Sequence, residues 1–275
     1  METRGCSHKA SYQEMIPTTP NSLTIIALAR NEANHLGPCF KSLRTLTSQP
    51  GVRTLIVLDS RADNATQAAA HAVANQVIVS EFVNFAVQRN RALDAAQGEW
   101  VFFIDADERC TPALAQEIAK AVSQQSQYAA FQIPRRNILF GHEVHHTGWW
   151  PDYQIRLLKR DSCRYDETRK VHELPIVKGK TGTLTKPLIH YNYQTWQQFI
   201  NKQWAYAKYD ARVLHASGRR ARPRNMLGQP LRELKRRLID YQGYKDGPLG
   251  VTLSLAMALY VAETYRQLWK LQSRE

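Results

Sequence analysis

Along its first 110 residues the chain alternates short unbroken apolar runs with longer stretches of helical spacing. Leu23–Ala29, Thr54–Leu58, Gln76–Val79 and Glu99–Ile104 are rich in β-branched and aromatic residues and carry no internal charge after their first positions. Runs of this kind are strands buried on both faces. Between them, residues from Asn34 to Leu46, from Asn64 to Ala74 and from Phe85 to Gln97 space their apolar positions as helices do. Strand and helix in strict alternation predict an α/β domain, a mostly parallel sheet flanked by helices on both sides.

Thr111-Pro112 opens the next helix, with a hydroxyl cap and proline at the first helical position. After an apolar strand at Tyr128–Ile133 the pattern changes. Residues 134 to 193 are rich in Gly, His, Trp and Arg and predict short strands and loops, a setting suited to an acceptor site. From Thr195 the chain is helical again, as an extension over 195–275. Its apolar run from Pro248 to Ala262 is fifteen residues long, against the roughly 20 needed to cross a bilayer. It is therefore expected to be a buried or interfacial helix. Residues 1–21 have no apolar core and are expected to be a disordered lead-in rather than a signal peptide. The domain reading is one unit over 22–194, with a first half at 22–110 and a second at 111–194.

Charge narrows the partners. The net charge is +13 over 275 residues, and residues 201–275 hold fifteen Lys/Arg against six Asp/Glu. Nucleic acid, an anionic membrane and a phosphorylated substrate all suit such a balance. Cys6, Cys39, Cys110 and Cys163 lack metal-ligand spacing and are expected as reduced thiols.

The feature that selects among these partners is Asp105-Ala-Asp107-Glu108, directly after the strand ending at Ile104. Ligands of parallel sheets gather at the carboxyl ends of the strands. Two carboxylates one residue apart can bracket a hard divalent cation, Mg²⁺ or Mn²⁺, shared with a substrate pyrophosphate. A solvated acidic turn is the alternative. Other strand ends point the same way. Ala29, Asn31 and Glu32 close the first strand, and Asp59 closes the second, where it can accept from the N3–H of a uracil or simply cap a helix. Arg89 or Arg91 can meet diphosphate charge or sit in solvent. Carboxylates gathered in a cleft repel phosphate unless a cation intervenes, so no nucleic-acid partner is expected.

Taken together, Asn31-Glu32, Asp59-Ser60, Gln88-Arg-Asn-Arg-Ala-Leu93 and Gly98-Glu-Trp-Val-Phe-Phe-Ile-Asp-Ala-Asp-Glu108 resemble the inverting glycosyltransferases of family 2. Pro134-Arg-Arg-Asn137, Phe140-Gly141, Gly148-Trp-Trp-Pro-Asp-Tyr-Gln-Ile-Arg-Leu157, Val171-His-Glu173 and Pro187-Leu-Ile-His-Tyr191 resemble their lipopolysaccharide-core glucosyltransferase branch. The resemblance implies a GT-A fold, a UDP-sugar donor and inversion at the anomeric carbon. It also implies that Asp59 contacts the base, Asp105 the ribose or metal, and Asp107 the metal. One departure is plain. The family's Ser-Gly-Ser-Thr-Asp-Gly-Thr loop is here Ser60-Arg-Ala-Asp-Asn-Ala-Thr66, without either glycine.

Inversion requires a base for the acceptor proton. By resemblance Asp152 is the first candidate, with Arg156 as its ionic partner or a phosphate contact, and Glu173 is the competitor. His190 is either a further metal ligand or a packed, hydrogen-bonded residue. Trp149, Trp150 and Tyr153 are an acceptor platform or core. His142, His145 and His146 are given no metal role. The acceptor class is a glycan or glycolipid, and a polyprenyl-phosphate sugar synthase is the rival within the fold. Basic helices beside an apolar stretch suit an anionic lipid surface, so peripheral attachment to the inner face of the cell membrane is expected.

Overall fold

The four apolar runs become the parallel part of one ten-stranded sheet in a computed structural model that describes residues 19–124, 126–168 and 174–273. In chain order they are β1 (Thr19–Ala29), β2 (Val52–Asp59), β3 (Gln76–Ser80) and β4 (Gly98–Phe103), connected through helices α1 (Ala33–Ser42), α2 (Arg44–Thr47), α3 (Asn64–Val73) and α4 (Phe85–Ala95). Their lateral order is β3-β2-β1-β4, all parallel. Strand β1 begins at Thr19, so residues 19–21 belong to the sheet and not to the lead-in expected for them.

Alternation along these strands builds two cores. Leu23, Ile25, Ala27, Ile56, Leu58, Trp100, Phe102 and Ile104 face α1, α2 and the later helix α5 (Pro112–Ser123). Ile26, Leu55, Val57, Val101 and Phe103 face Ala86, Ala92 and Leu93 of α4. A period of two sends successive side chains to opposite faces, and a sheet covered on both sides wants apolar residues at every position.

The second half of the sheet is mixed. After β5 (Glu108–Cys110) and α5 come β6 (Tyr128–Leu139), β7 (His142–Val144), β8 (Asp152–Lys159), β11 (Lys180–Thr183) and β12 (Leu188–Tyr193), while β9 (Cys163–Tyr165) and β10 (Pro175–Val177) form a separate antiparallel pair. The sheet continues from β4 through β8, β6 and β12 to β5. Strand β8 runs antiparallel to both β4 and β6, with Phe102 opposite Leu157 and Arg135 opposite Asp152. The start of β8 therefore lies beside the end of β4, and residues 134–193 turn back over the strand ends.

Helices α6 (Trp196–Ala216), α7 (Pro223–Lys235) and α8 (Gly247–Gln272) form the C-terminal extension. Phe199, Leu253 and Met257 pack with Leu139, Val144 and Tyr193, and Phe140 stacks on Trp196 at 4.2 Å. Between α7 and α8 the turn at Gly243 leaves no room for a side chain. A Cβ there would meet Thr147 at 2.5 Å. Through this turn the extension grips the 145–149 loop: Asp246 accepts from the backbone N–H groups of His145 and His146, and Arg237 donates to the Thr147 carbonyl at 2.6 Å. Among the described residues no helix is long and apolar enough to cross a membrane, as expected for 248–262.

Candidate active site

The acidic turn is shaped by the residue after the Asp pair. Glu108 is fully buried and its Oε2 accepts from the Asp105 N–H at 2.9 Å, while the Glu108 N–H donates to the Asp105 carbonyl at 2.9 Å. Ala106 packs inward. Asp105 and Asp107 are left facing outward, each about a third exposed (37% and 36%). Pairing of β5 with β12 sets Glu108 opposite His190, and the Tyr191 N–H donates to the Asp107 carbonyl at 3.0 Å. A histidine eighty-odd positions away is thereby carried to the acidic turn.

Arginines hold the inner carboxylates. Arg156, almost wholly buried, donates through Nη2 to Glu108 at 2.7 Å and to Asp105, with Nη1 3.3 Å from the other Asp105 oxygen. Arg89 Nη2 lies 3.6 Å from Asp105, its guanidinium over the Phe103 and Tyr165 rings. Burial works to raise the Asp105 pKa, but the charges of Arg156 and Arg89 prevail and hold it well below the usual carboxylate range. Burial likewise opposes the Arg156 charge, and Asp105 and Glu108 more than offset it. Glu32 lies at the edge of this group. Burial raises its pKa, with Asp107 and Asp105 adding to the rise.

His190 is oriented by a buried amide. Asn137 donates through Nδ2 to the Trp149 carbonyl at 2.9 Å and to Asp152 at 3.3 Å. Its Oδ1 therefore faces His190 Nδ1, 2.7 Å away, and that nitrogen must be the donor. In the neutral imidazole Nε2 then carries a lone pair, and it stands 3.5 Å from Asp107 Oδ2. In that form two acceptors face each other, an arrangement that suits a cation, whereas in the imidazolium the same contact is an ion pair. Among the described residues no three acidic, histidine or cysteine side chains converge into a metal cage. A two-ligand site completed by substrate oxygens and water is what Mg²⁺ and Mn²⁺ accept.

Two adjoining cavities flank the turn. One, about 470 Å³, is lined by Glu32, Arg89, Asp105, Asp107, Arg135 and His190, with Lys202 and Tyr206 from α6. The other, about 370 Å³, is lined by Ala29, Arg30, Asp59, Phe82, Phe85 and Gln88. They share Leu28, Glu32 and Phe85. Asp59 is buried, and hydrogen bonds from Arg61 lower its pKa; Arg30 adds an ion pair at 3.6 Å. The helix cap considered for Asp59 is supplied by Asp63, which accepts from the Thr66 N–H at 2.6 Å. Thr66 in turn accepts from the Glu32 N–H, tying the first two strand ends together. No residue from 60 to 66 has positive φ, so this loop does not need the missing glycines.

Residues 24–174, more than half the chain, match the model of glycosyl transferase family 2. The chain belongs to that family. A lipopolysaccharide core biosynthesis glycosyltransferase, LpsC of Rhizobium meliloti (strain 1021), is 28% identical over 76% of this chain and 76% of its own length. An uncharacterized glycosyltransferase of Rickettsia conorii is 23% identical over 72% of each. Among solved structures, the mannosyltransferase PcManGT of Pyrobaculum calidifontis, in complex with GDP-Man and Mn²⁺, covers 94% of this chain and 87% of its own at a TM-score of 0.50 and 13% identity. The protein is thus a glycosyltransferase with a GT-A-like fold, as the motifs implied.

The structure gathers most of the sequence candidates of this family 2 enzyme. Ala29, Glu32, Asp59, Arg89, Asp105, Asp107 and His190 all line the two cavities. Asn31 is exposed beside them, and Arg91 is turned to Ser80 and Glu81. Asp152 is elsewhere. Its Oδ2 receives both Nε and Nη2 of Arg135 and the Asn137 amide, and Gln154 donates to Oδ1. Burial would raise its pKa, but Arg135 leads a set of partners that lower it. Arg156, expected beside Asp152, instead serves Asp105 and Glu108. Glu173, with Val171 and His172, lies outside the described residues. Of the aromatic trio, Trp149 packs in the C-terminal core and Tyr153 is exposed. His146 pairs with Asp246. Cys39, Cys110 and Cys163 are buried free thiols.

Sequence reasoning passed over Arg135, Glu108 and the Phe82–Phe85 pair. The first two were visible only as members of motifs, since their partners come from other strands. Phe85 looked like an ordinary first helical residue, yet it lies in edge contact with Phe82 at 5.1 Å on the wall common to both cavities.

Proposed function

We propose that the enzyme moves a hexose from a UDP-sugar to a hydroxyl of a glycan or glycolipid acceptor, with inversion, and that Asp107 and His190 hold a divalent cation, Mg²⁺ or Mn²⁺. The carrying observation is His190 Nε2 facing the Asp107 carboxylate at 3.5 Å on the wall of the larger cavity. When bound, the cation neutralises a departing diphosphate. Uracil is assigned to the smaller cavity, where Asp59 accepts its N3–H and the Phe82 and Phe85 rings offer apolar faces. Asp105, beside Arg89 and Arg156, meets the ribose, and Arg89 meets the diphosphate. The name of the LpsC relative supports an acceptor in surface-glycan synthesis, reached at the cytoplasmic face of the cell membrane.

Calorimetry with UDP, with and without Mn²⁺, tests the reading on wild type and Asp107→Ala. Metal is expected to tighten UDP binding in wild type only. Equal binding in all four conditions would remove the metal role, and tighter binding of GDP than UDP would remove the assignment of the base pocket.

For the acceptor proton, the four donors on Asp152 argue for a positioning residue that fixes Arg135 and Asn137. Its Oδ1 accepts, among the described residues, only from Gln154 and keeps a lone pair, but its lowered pKa makes Asp152 a weaker base than an unpaired carboxylate. The role is therefore assigned to Glu173. Glu173→Gln is expected to lower kcat by about 10²–10⁴ with donor binding intact, whereas Asp152→Asn chiefly lowers the melting temperature. The reverse pattern in single-turnover rates and thermal melts would return the base to Asp152.

A further inference from the structure

Helix α7 is amphipathic in the wrong direction for a helix packed on a protein. Its inward positions include Glu233, buried and paired with Arg237 at 2.6 Å. Its outward positions, on successive turns, are Leu227 and Leu231, exposed at 73% and 64%. The orientation is held by polar contacts: Arg237 donates to the Thr147 carbonyl from within the Glu233 pair. Helix α8 lies alongside, joined at its far end by the Gln272 side chain, which bonds both the N–H and the carbonyl of Ala221. It repeats the feature with Val251, Leu255 and Leu259, all exposed one turn apart. Arg224, Arg232 and Lys235 stand on the outward side of α7 among the leucines, Lys235 paired at 3.1 Å with the exposed Asp240. Outward aliphatic residues interleaved with cations are disfavoured in water alone, and they match an interface with hydrocarbon below and anionic headgroups at its rim.

We propose that the outward face of α7, with the neighbouring face of α8, docks on an anionic lipid bilayer, Leu227 and Leu231 entering the acyl boundary while Arg224, Arg232 and Lys235 meet lipid phosphates. A second protein copy would bury the leucines but would set this cationic rim against its own. The proposal draws on the functional reading above only for the benefit of meeting a glycolipid acceptor; the docking stands on the helix faces. Because the same extension grips the 145–149 loop, and the Trp149 carbonyl there accepts from Asn137, a docked face holds the cavity mouth at a set distance from the membrane.

The test is co-sedimentation of the full chain with phosphatidylcholine vesicles, with and without phosphatidylglycerol, at low and high salt. Wild type is expected to bind the anionic vesicles, weakly at high salt. Leu227→Gln/Leu231→Gln is expected to lose about tenfold or more in partition, and Arg224→Gln/Arg232→Gln to lose most of the salt-sensitive part. Both variants change exposed positions and are expected to melt, and to bind UDP, as wild type does. UDP binding retained with vesicle binding lost separates docking from donor chemistry, and vesicle binding in a protein that ignores UDP would leave docking intact. The proposal is overturned if wild type ignores anionic vesicles at low salt, or if the leucine variant binds as wild type does. It is equally overturned if the leucines prove to hold a solution dimer that the variant dissociates.

Discussion

Arg156→Met is expected to be the most destabilising single change in the sheet, lowering folding stability by roughly 3–5 kcal/mol. Glu108 is fully buried, and its Oε1 is served by Arg156 at 2.7 Å and by Arg135 at the longer 3.4 Å. Methionine fills similar space but leaves a buried carboxylate nearly uncompensated, and removing one partner costs more than the pair itself contributes. Asp105 loses its closest cation at the same time. Denaturant unfolding measures the loss. Its pH dependence gives a second reading. Asp105 and Asp152 titrate below their ordinary value of 3.8 in the folded chain. Their contribution to wild-type stability is therefore complete above that value and fades as pH falls through their folded pKa values. In Arg156→Met the Asp105 part of that acid-side loss should shrink, since only Arg89 and Arg135 then hold its pKa down. Equal stability of variant and wild type near neutral pH would show that Glu108 does not depend on Arg156.

Asn137→Leu is expected to weaken Mn²⁺ binding by about 10–100-fold without touching the proposed ligands. The amide is wholly buried and makes three bonds, to His190 Nδ1, the Trp149 carbonyl and Asp152. Leucine matches its volume but frees the imidazole to rotate and to exchange tautomers, so Nε2 no longer faces Asp107 as a fixed acceptor. The carbonyl of Trp149 and one lone pair of Asp152 also lose their donor, which adds on the order of 1–3 kcal/mol of instability. A Mn²⁺ titration read by electron paramagnetic resonance in the presence of UDP separates the two effects. Unchanged Mn²⁺ affinity in a folded variant would show that His190 is not a ligand. His190→Ala is expected to give at least as large a loss.

Much of the cavity lining was readable in advance because its signals are local. A strand buried on both faces must be apolar throughout, and it must stop where polar residues begin. Ala29, Asp59 and Asp105 stand at or just beyond such stops, and parallel strands bring their ends to one edge. Arg89 follows from the same logic, three residues from Ala86 and four from Leu93 on a helix whose inward face those two define. The surroundings of Asp152 were not legible for a physical reason. Its segment looked chemical, but the partners that quench a carboxylate, Arg135 and Asn137, sit on β6 and meet it only by antiparallel pairing.

The linear pattern by itself determined the alternating strands and helices, the parallel sheet, the strand-end carboxylates and the cationic balance of the extension, because each depends on neighbours within a few residues. Only the tertiary structure decided who partners whom: Arg156 with Asp105 and Glu108, Asn137 with His190, and His190 with Asp107. Those pairings join the turn after β4 with β5, β6, β8 and β12 across 48 to 83 positions, where spacing along the chain carries no information about distance. It likewise decided that α7 buries Glu233 and exposes Leu227 and Leu231, since a helical pattern defines two faces but not which one is turned to the protein.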